Sequence, residues 1–143
     1  MSIKKLPLHI VHESLGAAFR ESGEWLVPES YGDRPGEYEA ARNRVSIADL
    51  SDRGKLRLGG KEHLKLLQGM LTNDVIKLEE GKGMYAAILT VKGRMVSDMR
   101  VYREKDSVLL DLEPGLNAKV GELLKKFRLS YKATIDDLTE GTG

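Results

Sequence analysis

From Lys55 onward, the apolar residues follow the spacings of strands and helices in turn. Residues 55–58 alternate polar and apolar side chains with a period of two, and so do residues 94–104. Apolar residues three or four positions apart predict the helices instead. In chain order, the predicted elements are strand 55–58, helix 61–71, strands 84–91, 94–104 and 107–112, a helix that starts at Pro114-Gly115, and strand 132–138. In the last of these helices, the residues predicted to face inward are Leu116, Val120, Leu123, Leu124 and Phe127.

This order, β-α-β-β-β-α-β, predicts an α+β fold in which helices cover one face of a mostly antiparallel sheet. A ferredoxin-like split βαβ unit with one extra strand has this arrangement. We therefore assign residues 55–138 to a ferredoxin-like domain, with a tight turn at Lys92-Gly93 between two of its strands.

Residues 1–54 carry mainly helix and turn signals, so we predict an N-terminal helical segment. Apolar spacings indicate a short helix over about residues 8–21. Glycine and proline residues then favour a packed loop over residues 21–36, and a second helix is predicted over residues 37–48. At the other end of the chain, residues 139–143 carry no packing signal, and we expect a truncated tail there.

The composition narrows the possible functions. A chain of 143 residues suits one domain or one and a part, and its 41% of hydrophobic residues is too high for disorder. The 23 basic and 22 acidic residues give no reason to expect nucleic acid or a membrane as a partner. The absence of cysteine excludes disulfides, thiolate metal sites and cysteine nucleophiles within these residues. With no signal-peptide pattern, we expect a soluble cytoplasmic protein.

The sequence gives little support for a metal site or for a phosphate-binding loop. His9 and His12 lie three residues apart, but no third metal ligand lies nearby, and His63 opens a helix. We assign structural roles to all three and predict no metal site. Gly59-Gly60-Lys61 and Gly81-Lys82-Gly83 lack the spacing of a phosphate-binding P-loop.

The second strand of the predicted hairpin carries a carboxylate, Asp98, in the middle of a strand, where an unpaired carboxylate is costly to bury. In one interpretation Asp98 faces solvent or pairs with Arg100 or Arg103. In the other it lies at the floor of a pocket, because the strand period brings Tyr102 to the same face and Tyr85 can approach from the preceding strand. The pattern alone leaves both interpretations open.

An ordered series of motifs extends through most of the chain. Residues 12–51 contain H-E-S-L-G-A-A-F, W-L-V-P, Y-G, E-Y-E-A-A-R and A-D-L-S, and residues 54–75 contain G-K-L-R-L-G-G and L-Q-G-M-L-T-N-D-V. Residues 81–102 read G-K-G-M-Y-A-A-I-L-T-V-K-G-R-M-V-S-D-M-R-V-Y. This series resembles the N-terminal part of the tetrahydrofolate-dependent glycine cleavage T-protein (aminomethyltransferase) superfamily, which includes the YgfZ folate-binding branch.

The resemblance implies a tetrahydrofolate-binding one-carbon transferase. Such an enzyme takes an aminomethyl group from the lipoyl arm of a carrier protein, passes methylene to tetrahydrofolate and releases ammonia. The strand aspartate implicated in acid/base work in this family matches Asp98. Tyr85 and Tyr102 match tyrosines that line the pterin pocket, and Arg53 matches a residue at the same cavity.

Departures from the family pattern leave a second function open. Residues 110–115 contain no asparagine, whereas T-proteins carry a V-N-A-x-N segment there. In this respect the chain resembles the YgfZ branch, whose members bind folate and support iron–sulfur client proteins without being established transferases. Because family members are longer, we expect a fragment that is inactive alone and ends in an unfinished strand at Gly141-Thr142-Gly143. The same reasoning leads us to expect an exposed apolar patch, since Trp25, Leu26, Val27 and Tyr31 lack obvious partners.

Overall fold

The computed structural model describes residues 3–140, which divide into two units with a boundary between Asp52 and Arg53. The first unit contains strand β1 (Lys4–Lys5), helix α1 (His9–Ser14), strands β2 (Ala18–Ser22) and β3 (Trp25–Ser30), and helix α2 (Arg34–Asn43). Its three-stranded sheet has the order β1-β3-β2, with β1 parallel and β2 antiparallel to β3. The alternation of β3 buries Trp25 and Val27 in a small core with Leu6.

The prediction of a helix over residues 8–21 and a loop over residues 21–36 is wrong for most of these residues. Helix α1 ends at Ser14, and Gly16 then adopts a φ of +78°, a left-handed conformation that terminates helices. The chain instead forms the β2–β3 hairpin, so Trp25 and Val27 do have packing partners, contrary to our expectation.

Helix α2 confirms a second helix in this unit but begins earlier than predicted. Asp33 caps it by accepting a hydrogen bond from the backbone N–H of Gly36 at 3.1 Å, and Pro35 occupies the first turn. The helix therefore runs from Arg34 to Asn43 rather than over residues 37–48.

The second unit confirms the predicted order of elements. It consists of β4 (Gly54–Gly59), α3 (His63–Gln68), β5 (Gly83–Leu89), β6 (Met95–Arg103), β7 (Ser107–Leu112), α4 (Asn117–Phe127), a 3₁₀ turn (Arg128–Ser130) and β8 (Thr134–Asp137). The sheet order is β5-β6-β7-β4-β8, and every neighbouring pair is antiparallel. Without the outer strand β5, this is the order of a split βαβ unit, as predicted.

One face of this sheet is the core. Leu110 on β7 lies between Leu56 on β4 and Val101 on β6, and all three are at most 1% exposed. Helix α4 adds Val120 and Leu124 to the same core. Phe127, which we expected to face inward, is 42% exposed because it is the last residue of the helix. Among the described residues, no helix is both long and apolar enough to cross a membrane.

The outer edge of strand β5 is covered by the segment that follows α3. The N–H of Thr72 donates to the carbonyl of Ala87 at 2.9 Å, and the Thr72 hydroxyl oxygen accepts from the Ala87 N–H at 2.9 Å. Asn73 donates through its side-chain amide to the carbonyl of Tyr85 at 3.0 Å. The edge strand thus has backbone groups paired on both sides.

The predicted tail is partly ordered. Thr139 is buried, and its hydroxyl oxygen accepts a hydrogen bond from the N–H of Lys55 at 3.1 Å. Thr139 is thus packed although its stretch carries no packing signal in the sequence, while the expectation for Gly141-Thr142-Gly143 lies outside the described residues.

Candidate functional site

The outer face of the second unit's sheet carries most of the residues that the sequence singled out. Strand β6 buries Ser97, Met99 and Val101 in or against the core, so the residues between them point to the opposite face. That opposite set is Asp98, Arg100 and Tyr102. The alternation read from the sequence therefore places these side chains correctly.

Asp98 is hydrogen-bonded to Tyr85 of the neighbouring strand. In the β5–β6 register Ala87 lies opposite Asp98 and Tyr85 lies opposite Arg100, so Tyr85 and Asp98 are diagonal neighbours on one face. The Tyr85 hydroxyl donates to the Oδ2 of Asp98. Tyr85 is 62% exposed, so this pair is open to solvent. A tyrosine, rather than Arg100 or Arg103, is thus the hydrogen-bonding partner of this carboxylate.

The hydrogen bond shifts the pKa values of both groups in opposite directions. It lowers the pKa of Asp98 below its ordinary value, and the positive charge of Arg53 contributes to the same shift. It raises the pKa of Tyr85, because the neutral phenol is the form that donates to Asp98. At neutral pH Asp98 is consequently an anion and Tyr85 a neutral donor.

Arg53 forms a charged network with two carboxylates, Asp111 on β7 and Glu113 just after that strand. Its Nε donates to Asp111 Oδ1 at 2.5 Å and its Nη1 to Glu113 Oε1 at 2.6 Å. The other oxygen of Asp111 accepts from Arg100 Nη1 at 3.4 Å. The side chains of Arg53 and Asp111 are only 12% and 17% exposed. Asp111 therefore holds two arginines beside the Tyr85–Asp98 pair.

Tyr102 lies at the other end of the same face. It is four residues from Asp98 along the strand, which corresponds to about 13 Å at the usual rise. Its ring covers Gly83, where a Cβ atom would lie 2.9 Å from Tyr102 Cδ1. The structure thus brings together Tyr85 and Asp98, places Arg53 near them, and separates Tyr102 from Asp98.

The sequence analysis did not anticipate the roles of Asp111 and Glu113. The alternation within β7 does place Asp111 on the same face as Arg100, and the two residues are paired in the β6–β7 register. That pairing joins residues from separate strands, so periodicity along one strand could suggest the face but not the contact.

The histidines make structural contacts. His12 is buried, with its Nε2 2.7 Å from Asp49 Oδ2 and its Nδ1 2.7 Å from the Tyr31 hydroxyl. His63 Nδ1 lies 2.5 Å from the carbonyl oxygen of Gly60. Across residues 3–140, no group of three or more histidines and carboxylates has an arrangement that could hold a metal ion.

The chemistry available on the outer face follows from these contacts. A fixed carboxylate can accept hydrogen bonds from N–H groups and stabilise positive charge near them. The exposed ring of Tyr85 offers a flat surface beside that carboxylate. The face is therefore suited to a planar ligand that carries N–H donors.

Comparisons with known proteins agree with this fold. The aminomethyltransferase of Corynebacterium jeikeium is 36% identical over 108 residues, which are 76% of this chain and 28% of that protein. The probable aminomethyltransferase of Halobacterium salinarum strain R1 is 38% identical over 103 residues, 72% of this chain and 28% of that protein. The crystal structure of glycine cleavage system aminomethyltransferase T from Bartonella henselae matches with a TM-score of 0.85 and 23% identity, over 96% of this chain and 39% of that one.

The structural match shows the fold, and the chain spans less than a third of the length of these two curated relatives. The family model described as the GCVT N-terminal domain matches residues 8–143, and the chain therefore belongs to that family.

Proposed function

We propose that this chain supplies the folate-binding sheet of a tetrahydrofolate-dependent aminomethyltransferase of the glycine cleavage type. The observation that carries the proposal is the Tyr85–Asp98 pair, which lies on the open face of the sheet. Curated relatives named aminomethyltransferases support this function over a YgfZ-like factor for iron–sulfur proteins. We further propose that residues 1–54 belong to a larger discontinuous domain and that the chain alone is inactive.

The residues on this face fit a folate. A pterin ring is planar and carries N–H donors, which match the exposed Tyr85 ring and the Asp98 carboxylate. When bound, tetrahydrofolate supplies the amine nitrogens that take up the one-carbon unit. The aminomethyl donor would be a lipoylated carrier protein, as for the glycine cleavage reaction.

Asp98 acts as an anion in this proposal. Its lowered pKa means that it stays ionised across the neutral range, so it orients an N–H group above the sheet and stabilises positive charge on the reacting nitrogen. Tyr85 restricts the orientation of the carboxylate through its hydrogen bond to Oδ2. Arg53, held by Asp111 and Glu113, contributes a fixed positive charge that keeps Asp98 ionised.

Binding is tested by titrating tetrahydrofolate into the 143-residue chain and following backbone amides by NMR. We expect weak binding, with shift changes at the outer face of β5 and β6. Asp98→Asn should remove these changes because the amide retains the shape but loses the charge. Glu104→Gln is the matched control, because Glu104 pairs with Arg57 and has no contact with Asp98. Shift changes confined to other surfaces, or unchanged by Asp98→Asn, would overturn the proposal.

Turnover is tested separately with the aminomethyl-loaded carrier protein and tetrahydrofolate. Production of methylenetetrahydrofolate should require these residues in a full-length enzyme, and Asp98→Asn should reduce kcat/KM by about 10²–10⁴-fold. Folate binding without turnover in that enzyme would favour the YgfZ-like function instead.

A further inference from the structure

The register of strand β5 against strand β6 changes along the hairpin. Next to the turn Leu89 lies opposite Met95, and one step further along β5 Ile88 lies opposite Ser97. The pairing thus advances by one residue on β5 and by two on β6, so that Val96 is the extra residue of a β-bulge. The register at the turn therefore does not continue into the part of the hairpin that carries the candidate site.

This change of register brings Tyr85 to the face of Asp98. If the pairing at the turn continued unshifted, Tyr85 would lie opposite Met99, and residues opposite each other in an antiparallel pair share a face. Met99 is 1% exposed and faces the core, so the phenol would point away from Asp98. In the observed register Tyr85 lies opposite Arg100 on the outer face. The site therefore requires that β5 be held in the shifted register.

The segment that follows α3 binds β5 directly beside the bulge. Thr72 forms two hydrogen bonds of 2.9 Å with Ala87, one to its carbonyl and one from its N–H. Asn73 donates to the carbonyl of Tyr85 at 3.0 Å. Ala87 is the residue opposite the site carboxylate, and Tyr85 carries the phenol that bonds to it. We call residues 71–73 the β5 clamp.

The core of the second unit fixes the position of the β5 clamp. Leu71 is 8% exposed and forms an antiparallel bridge with Ile88, which is fully buried. Val75, four residues after Leu71, is fully buried in the same core. Strand β5 is consequently held from its outer edge by a segment whose own place is set by packing.

Burial of β5 side chains does not by itself select the observed register. Ala86 and Ile88 face the core, and their burial determines which side chains of β5 lie on the outer face. A slip of two residues would keep every side chain on its face, yet it would place Tyr85 opposite Asp98 or Tyr102. The bonds of the β5 clamp distinguish these registers, because they require particular backbone groups of β5 at fixed positions.

We propose that Thr72 and Asn73 are positioning residues, which hold β5 so that Tyr85 donates to Asp98. Their hydrogen bonds go to the backbone of β5, so they act on the carboxylate only through Tyr85. The proposal rests on the proposed function for what the pair does, whereas the positioning itself is tested without folate. A loosened clamp leaves the carboxylate without a fixed donor and thus less restricted in orientation.

The test follows the carboxylate of Asp98 by carbon-13 NMR during an acid titration of the 143-residue chain. The hydrogen bond from Tyr85 is the main cause that lowers the pKa of Asp98, so loss of this bond raises that pKa towards its ordinary value. Tyr85→Phe gives the full rise. Thr72→Val combined with Asn73→Ala should give a measurable part of the same rise. Both positions are exposed, so the changes remove bonds without opening a cavity.

Two matched variants separate positioning from general loosening of the hairpin. Thr72→Ser keeps the hydroxyl oxygen and should leave the pKa of Asp98 unchanged. Thr90→Val removes a bond of the same kind, from the N–H of Arg94 at 3.1 Å, on the turn side of the bulge, and should also leave it unchanged. Circular dichroism checks that each variant is folded, and Thr72→Val alone is titrated if the double variant is not. An unchanged pKa in the clamp variant, or an equal rise in Thr90→Val, would overturn the proposal.

Failure of the proposed function is visible in a different measurement. If the pKa of Asp98 rises in the clamp variant but tetrahydrofolate causes no NMR shift changes on β5 and β6, the positioning roles stand and the folate site fails. If tetrahydrofolate causes these changes but the clamp variant leaves the pKa of Asp98 unchanged, the folate site stands and the positioning roles are overturned.

Discussion

Replacing Arg53 with methionine tests how strongly the charged network holds this part of the sheet. The change removes two hydrogen bonds to carboxylates, at 2.5 Å and 2.6 Å, and keeps an unbranched apolar side chain. Asp111 is 17% exposed and would keep only the 3.4 Å contact with Arg100, whereas Glu113 is 57% exposed and can turn to water. Leaving one mostly buried charged acceptor poorly paired costs about 1–3 kcal/mol. We expect the free energy of unfolding to fall by that amount.

The matched control is Arg57→Met on strand β4. Arg57 also bonds a carboxylate, Glu104, at 2.9 Å and 3.0 Å, but the two side chains are 44% and 36% exposed. An exposed pair of this kind contributes about 0–1 kcal/mol. Both variants are compared by urea unfolding followed by far-UV circular dichroism. If Arg53→Met lowers the free energy of unfolding no more than Arg57→Met does, burial does not determine how strongly the network stabilises the protein, and the reasoning fails.

Three further predictions concern single groups. Asp98→Asn should lower the pKa of Tyr85 towards its ordinary value, because the phenol no longer donates to a carboxylate; absorbance of tyrosinate during an alkaline titration measures this. Burial alone would raise the pKa of Asp49, but hydrogen bonds from a histidine and a serine outweigh it and lower the pKa. The stability that Asp49 contributes is therefore present above its unfolded pKa of about 3.9 and lost as the pH falls through the folded value, and Asp49→Asn should flatten this acid dependence in thermal melts. Leu110→Ala should cost about 2–5 kcal/mol in urea unfolding, whereas the same change at Leu129, which is 91% exposed, should cost about 0.5 kcal/mol or less.

Each of these has an outcome that contradicts it. An unchanged alkaline transition in Asp98→Asn would mean that Tyr85 does not donate to Asp98 in solution. An acid dependence equal to wild type in Asp49→Asn would remove Asp49 from the groups that set stability at low pH. Equal losses for Leu110→Ala and Leu129→Ala would contradict the position of Leu110 at the centre of the core.

The order of elements in the second unit could be predicted because its apolar and polar residues alternate as the buried and exposed sides of the strands require. In β6, Met99 and Val101 alternate with Asp98 and Arg100, so the sequence alone separates the core face from the open face. The pairing of Tyr85 with Asp98 depends in addition on a register shift between Ile88 and Leu89, which the turn at Gly93 alone does not determine.

The contacts of Arg53 could not be predicted in the same way. Its carboxylate partners Asp111 and Glu113 lie on or next to a strand about sixty residues away. The register between two such strands depends on the packing of the whole sheet rather than on local pattern. In the first unit, strand β3 was not predicted from the alternation of Trp25 and Val27. Pro28 and Glu29 follow them directly, and proline is rare inside strands.

The covered edge of β5 has a consequence for the behaviour of the protein at high concentration. An uncovered edge strand offers a ladder of backbone groups to any other copy, and growth of the sheet from one molecule to the next is the first step towards fibrils. Here Thr72 already occupies both backbone groups of Ala87, and Asn73 occupies the carbonyl of Tyr85. The opposite edge, β8, is four residues long and includes Asp136 and Asp137, whose charges repel a second copy of the same strand. Thr72 and Asn73 therefore leave fewer backbone groups on this edge of the sheet to which a strand of a second copy could pair.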